Sequence, residues 1–225
     1  GNGPFKLVEW NRGNYLRLVR NEDYWDSGKP YVGEVFYRFL PDAASRVAAL
    51  ETGEVLLVGE SGVPGSDLAR IAGSPDLRIE TRGYNYVAQN TFFLFNLDKP
   101  VFQDVRVRRA IAHAIDRQFL VDSVWYGYGE VATGPFPEDL GDFYTPDVPV
   151  YEYDPAKAIA LLDEAGLKPG TDGIRFEFTH DFLPYGEQYP RTAEYIRDAL
   201  SKVGIKLTIR SQDYASYLKR VYTDR

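Results

Sequence analysis

The sequence has no cysteine and no methionine in 225 residues, and only two histidines. Without cysteine it can hold no disulfide, no zinc-thiolate site and no thiol nucleophile; the redox compartment stays open, because envelope and cytosolic proteins both do without the residue. His113 and His180 are far from the spacing of a helical His-Glu-x-x-His zinc motif. No apolar run approaches the roughly 20 residues that cross a bilayer, and the first ten residues have neither the basic start nor the hydrophobic centre of a secretion signal. A block of one charge sign is missing too. The 26 Lys and Arg are interspersed with 33 Asp and Glu, for a net charge of −7, so a nucleic acid finds no basic stripe. The chain opens on Gly1 instead of Met, and its ends read as cuts in a longer protein.

What is present is a core. Hydrophobic residues make up 44 % of the chain, enough for one large domain or parts of two, which excludes a disordered chain. Segments 5–10, 15–20 and 35–40 alternate like strands between turn clusters at 11–14 and 26–30, which predicts a mostly antiparallel meander. Asp42 is placed to cap a helix carrying Ala43, Val47 and Leu50, with Gly53 as its stop. Residues 59–65 read as a loop. From Leu77 the alternation resumes through Tyr84 and Tyr86 into Phe92-Phe93-Leu94-Phe95, a continuous apolar run of the kind found in a strand buried on both faces.

The remainder is richer in helix. Asp104 and Asp116 stand as caps before Val107, Ala110, Ile111, Ala114 and Ile115, and before Leu120, Val121 and Val124, with Gly127 as terminator. Residues 128–153 carry four prolines and several aromatics and predict an ordered but irregular segment. Asp154-Pro155 is a helix start, with Ala158, Leu161, Leu162 and Ala165 on one face and Gly166 at the end. Segments 174–179, 190–203 and 205–210 then read strand, helix, strand, a βαβ unit with parallel strands, and a last helix begins near Asp213. The change of character near residue 92 predicts two lobes.

Little of this points to catalysis. There is no Gly-x-Ser-x-Gly elbow and no P-loop; Gly127-Tyr128-Gly129-Glu130-Val131-Ala132 has the glycine spacing of a dinucleotide loop but follows a helix, which makes it a turn. His113 reads as a helix-surface histidine, and Asp163-Glu164, with Lys157 and Lys168 nearby, as a solvated face. His180 and Asp181 close a strand of the βαβ unit, and the carboxyl ends of parallel strands are where such sheets bind ligands, although a turn is the plainer reading. The 17 tyrosines and 13 phenylalanines can build core or an adaptable aromatic cleft; Tyr84, Tyr86, Phe92 and Phe93 are the candidates for the second role.

Several segments resemble one family. Gly1-Asn2-Gly3-Pro4-Phe5-Lys6-Leu7, Arg20-Asn21-Glu22-Asp23-Tyr24-Trp25 and Gly28-Lys29-Pro30-Tyr31 are similar to a recurring run of the peptide-type (family 5) solute-binding proteins of ABC importers. Pro41-Asp42-Ala43-Ala44-Ser45-Arg46, Val101-Phe102-Gln103-Asp104-Val105-Arg106 through Ala114-Ile115-Asp116-Arg117, and Tyr153-Asp154-Pro155-Ala156-Lys157-Ala158 continue the resemblance in register.

The resemblance implies an α/β, periplasmic-binding-protein-like two-lobe fold. Residues 1–92 would be the later part of the first lobe (meander plus helix), 93–100 the crossing, and 101–225 the first part of the second lobe (βαβ). It implies a monomeric, non-enzymatic subunit without cofactor or metal, working in the periplasm or otherwise outside the cytoplasmic membrane. Its partners would be a peptide and the membrane permease. A sugar, a nickel complex, haem or an opine are alternative solutes, and a sensor module is an alternative role. By position, the residues implied to line the cleft are Gly59, Glu60, Asn90, Phe92, Phe93, His180 and Tyr185.

The capping reading has a direct test. Asp154→Ala is expected to destabilise the chain by about 1 kcal/mol through loss of the cap. An unchanged denaturation midpoint would mean that the helix starts elsewhere.

Overall fold

The structure, a computed structural model, describes residues 2–59, 62–82 and 90–224. The chain divides into two compact units, Gly1–Val63 and Pro64–Arg225. The change of pattern at residue 92 thus lies inside the second unit.

The first unit contains an antiparallel meander of β1 (Phe5–Asn11), β2 (Tyr15–Arg20) and β3 (Glu34–Arg38), in that spatial order. The β1–β2 register runs from Phe5↔Arg20 to Asn11↔Tyr15 with one shift between Leu7 and Glu9, a bulge that re-aims the side chains beyond it. Asn21, buried just after β2, ties the following turn to the start of β1. Its Nδ2 donates to Gly3 O at 3.0 Å, its Oδ1 accepts from Asp23 N at 3.2 Å, and its own N–H donates to Pro4 O at 2.9 Å. A buried amide so fully used costs nothing in unmet hydrogen bonds.

Helix α1 (Ala43–Glu51) starts where its cap predicts: the Asp42 carboxylate accepts from Ser45 N at 2.7 Å. It buries Val47 and Ala49. Arg46 on the same helix donates to the carbonyls of Leu40 (2.7 Å), Pro41 (2.8 Å) and Gly62 (2.7 Å), so one side chain holds the segments before and after α1 together.

In the second unit, α2 (Gly65–Ala72), α3 (Pro100–Gln103) and α4 (Val105–Ala114) precede a single turn α5 (Arg117–Phe119), which widens into a π-type turn over Leu120–Val124. Then follow α6 (Pro155–Glu164), β4 (Phe176–Asp181), α7 (Gln188–Ser201), β5 (Ile205–Arg210) and α8 (Tyr214–Leu218). Asp104, Asp116, Asp154 and Asp213 each cap the helix they precede. β4 and β5 pair in parallel from Phe176↔Ile205 to Asp181↔Arg210, with α7 as the crossover. Residues opposite each other share a face, so Phe176, Phe178, Ile205 and Leu207 look into the core, while exposed Glu177, Thr179, Lys206 and Thr208 occupy the other face. Val107, Ala110 and Ile111 of α4, Ala158 and Leu162 of α6, and Ile196 and Leu200 of α7 complete that core. Among the described residues, no helix is long and apolar enough to cross a membrane.

Five details differ from the sequence reading. Residues 77–82 and the run Phe92 to Phe95 form no ladder with another described strand. The run still alternates: Phe93 and Phe95 turn to the core while Phe92 and Leu94 stay exposed, so it is half-buried instead of buried on both faces. Helix α2 was not foreseen, because its eight residues contain only Leu68, Ile71 and three small residues as apolar signal. His113 is buried, not on the helix surface; its Nδ1 donates to Glu152 O at 2.6 Å, and Asp154 N donates back to His113 O at 2.8 Å. Asp163 is more than a solvated carboxylate. It accepts from the nearly enclosed Arg175 at 2.6 Å, and this bond, with Lys168 as a second partner, holds its carboxyl below the usual range.

Two glycines mark close approaches. At Gly65 a Cβ would come within 2.2 Å of the Tyr126 ring. Gly204 has φ +83°, and a Cβ there would meet Gly173 O at 2.9 Å. Gly204→Ala is therefore expected to cost about 1–2 kcal/mol from the left-handed backbone alone, with further cost from that backbone contact. A denaturation midpoint within error of wild type would contradict it.

Candidate functional site

The carboxyl end of the β4–β5 pair is approached on its core face by residues 93–95. Phe93 packs against Phe178 (ring centroids 6.4 Å, edge-on) and, one step further along β4, against the His180 ring at 5.0 Å and 31°. Phe95 continues the row against Phe102 at 5.3 Å, and Phe102 meets Phe178 at 5.1 Å. The row is anchored in the core and ends at the strand terminus, the place where open parallel sheets expose ligand-binding groups.

Of the residues singled out from the sequence, Phe93 and His180 are thus in contact. Asn90 reaches elsewhere: its Nδ2 donates to Gly134 O at 3.3 Å and Pro135 O at 3.0 Å, tying the extended segment to the irregular stretch that contains exposed Phe136. Phe92 (54 % exposed) and Tyr185 (62 % exposed) present their rings to solvent, Tyr185 from the loop after β4. Gly59 lies in the first unit, in a turn where its carbonyl accepts from Gly62 N at 3.2 Å. Glu60, Tyr84 and Tyr86 fall outside the described residues.

The sequence reading missed the group around Asp181. Its carboxylate accepts from Arg210 Nη1 at 3.3 and 3.4 Å and from Gln212 Nε2 at 3.0 Å, and Arg220 Nε stands 3.8 Å away. Aligning the two strands would have exposed it, since Asp181 and Arg210 are both strand-final and opposite in register. Among the described residues no three His, Asp or Glu side chains are grouped to hold a metal. The groups at this strand end are aromatic faces on the core side of the sheet and, on its other side, a carboxylate flanked by two guanidinium groups.

The His180 pKa is lowered from 6.5 by burial of the ring, an effect that the neighbouring Asp181 charge opposes. The folded state therefore takes up this proton less readily than the unfolded chain. Its contribution to stability is present above pH 6.5 and is lost as pH falls from there through the lowered folded value. The melting temperature is expected to drop more between pH 7 and pH 5 in wild type than in His180→Phe. Parallel curves for the two proteins would show that the ring is not buried as described.

A profile of the bacterial extracellular solute-binding proteins, family 5 (middle), matches residues 1–225. Among curated proteins, the oligopeptide-binding protein AppA of Bacillus subtilis is 31 % identical over 235 residues, covering 98 % of this chain and 41 % of its own length. Heme-binding protein A of Haemophilus influenzae is 30 % identical over 221 residues, covering 98 % of this chain and 40 % of its own length. Among solved structures, the periplasmic binding protein DppA of Helicobacter pylori, in complex with the peptide STSA, superposes with a TM-score of 0.77 at 29 % identity, over 98 % of this chain and 40 % of that one. The chain spans 40–41 % of the length of the two curated relatives. Its mixed α/β structure corresponds to part of a periplasmic binding protein. From first residue to last, the chain belongs to the bacterial extracellular solute-binding proteins of family 5.

Proposed function

We propose that this chain is part of the solute-binding subunit of an ABC importer, a non-enzymatic protein that captures peptides outside the cytoplasmic membrane and hands them to the permease. The observation that carries the reading is the similarity over 98 % of the chain to a relative named as oligopeptide-binding. In this reading Gly59 and Glu60 belong to one lobe, His180 and Tyr185 to the other, and Asn90, Phe92 and Phe93 lie where the chain crosses. Solute held between lobes stabilises the closed state by contacts the open state does not make, and the permease responds to that shift in population.

The chemistry of the candidate residues fits a broad solute range. Aromatic faces bury apolar side chains of varied shape, while main-chain and amide groups hold the polar repeat that all peptides share. Haem is the second reading, favoured by the 30 % identity to heme-binding protein A. A porphyrin would also use aromatic faces.

Native mass spectrometry of the full-length parent, purified without denaturation, separates the two. A heterogeneous mass excess that dissociates into peptides is the expected result. One discrete non-peptide ligand would keep the capture role and overturn the peptide assignment; a porphyrin absorption band would identify that ligand as haem.

A further inference from the structure

We infer that α2 (Gly65–Ala72) is a strap that docks reversibly on the rest of the second unit, clasped by Tyr126, with Arg191 as the positioning residue for the Tyr126 ring. The strap is independent of which solute the protein carries.

Helix α2 follows directly on the division of the chain at Val63 and Pro64. Its eight residues are fewer than the roughly 12–15 below which an isolated helix is marginal in water. The start of α2 also lacks the support that aspartates give α1, α4 and α6, because Pro64 stands at the cap and supplies no side-chain hydrogen bond. Order in α2 therefore has to come from what it packs against. Its buried residues are Gly65 and Ile71, and neither is among the residues of the core around Phe102. At Gly65 the covering group is the Tyr126 ring, so close that a Cβ would overlap it. The close approach at Gly204 is to a backbone carbonyl and is permanent, whereas the one at Gly65 is to a side chain, which can release.

Tyr126 is held for this contact under strain. Its φ is +55°, a left-handed conformation that disfavours a bulky side chain and that glycine usually supplies at a helix end. Among the described residues, no other non-glycine residue has a positive φ. Backbone bonds on both sides fix it: Trp125 N donates to Leu120 O, Gly127 N to Val121 O and Tyr128 N to Trp125 O, each at 2.9 Å. Side chains then aim the ring. Arg191 Nη1 donates to the Tyr126 hydroxyl, its guanidinium stands 6.0 Å from the ring centroid, and its Nη2 pairs with Glu187 at 3.3 Å. The neighbouring Trp125 meets Tyr189 edge-on at 5.8 Å. A strained residue so fully determined by its surroundings is of the kind that clusters at clamps and switches. Glu187, Tyr189 and Arg191 all belong to the start of α7, just after the loop that carries Tyr185. A shift of that loop therefore bears on the ring that holds α2.

The test is hydrogen exchange, read by mass spectrometry, on the full-length parent. In wild type the amides of α2 are expected to exchange about tenfold or more faster than those of α4 and α6, as a locally opening segment does. Gly65→Ala is expected to speed α2 by about a further tenfold while α4, α6 and the melting temperature stay unchanged. Arg191→Gln, at an exposed position, is expected to speed α2 about threefold by loosening the ring, and it decides the matter if Gly65→Ala does not fold. Protection of α2 equal to that of α4 in wild type would make it a fixed part of the core and overturn the strap. Exchange of α2 unmoved by either variant would overturn the clasp, and so would a Gly65→Ala effect spread equally over α2, α4 and α6.

Discussion

Phe102, enclosed in the core of the second unit, meets Phe178 edge-on at 5.1 Å and Phe95 at 5.3 Å. Through these rings residues 93–95 are seated on β4 without any ladder of backbone hydrogen bonds to a described strand. Edge-on aromatic pairs contribute about 0.5–1.5 kcal/mol each beyond the area they bury, and successive contacts along one strand face fix both the height and the direction of the segment. The contact of Phe93 with His180 follows from this seating. So does the reach of Asn90 to the carbonyls of Gly134 and Pro135. Loosening Phe102 would therefore act on the candidate site from within the core.

The helices that frame this arrangement are short. The longest, α7, has 14 residues, near the length below which an isolated helix is marginal in water. Their persistence rests on burial of one face, as with Leu162 and Leu200, and on aspartate caps that satisfy otherwise free amide donors at the start. Arg175 adds a link of another kind. Its nearly enclosed guanidinium binds Asp163 and the Leu167 carbonyl, so that the end of α6 and the start of β4 are held as one piece.

How much could be read from the sequence follows the range of the interactions. The foreseen aspartate caps at positions 42, 104, 116 and 154 each act within three residues of themselves, and all four are present; Asp213, near which a last helix was expected, caps that helix in the same way. The parallel β4–α7–β5 unit was legible because alternation, helical spacing and the stop at Gly204 agree. His113 was misread because its partner, the Glu152 carbonyl, is 39 residues away. The run from Phe92 to Phe95 was misread because an apolar stretch does not say which of its faces will be covered. At the candidate site, the meeting of Phe93 with His180 and the pairing of Asp181 with Arg210 are contacts between distant segments. Local patterns named both residues in the first case, and in the second named Asp181 but not Arg210.

The exchange between His113 and the segment before α6 has a consequence for how the protein can vary. Glu152 accepts from the His113 ring and Asp154 N donates to the His113 carbonyl, so the irregular stretch that leaves the core after Gly127 is pinned again just before α6. Between those fixed points the cost of closing a loop grows only logarithmically, by about 0.6 kcal/mol for each doubling of its length. The stretch can therefore lengthen, shorten or exchange its exposed aromatic residues with little effect on the core. Sequence can then diverge in this stretch while the scaffold that carries it stays constant.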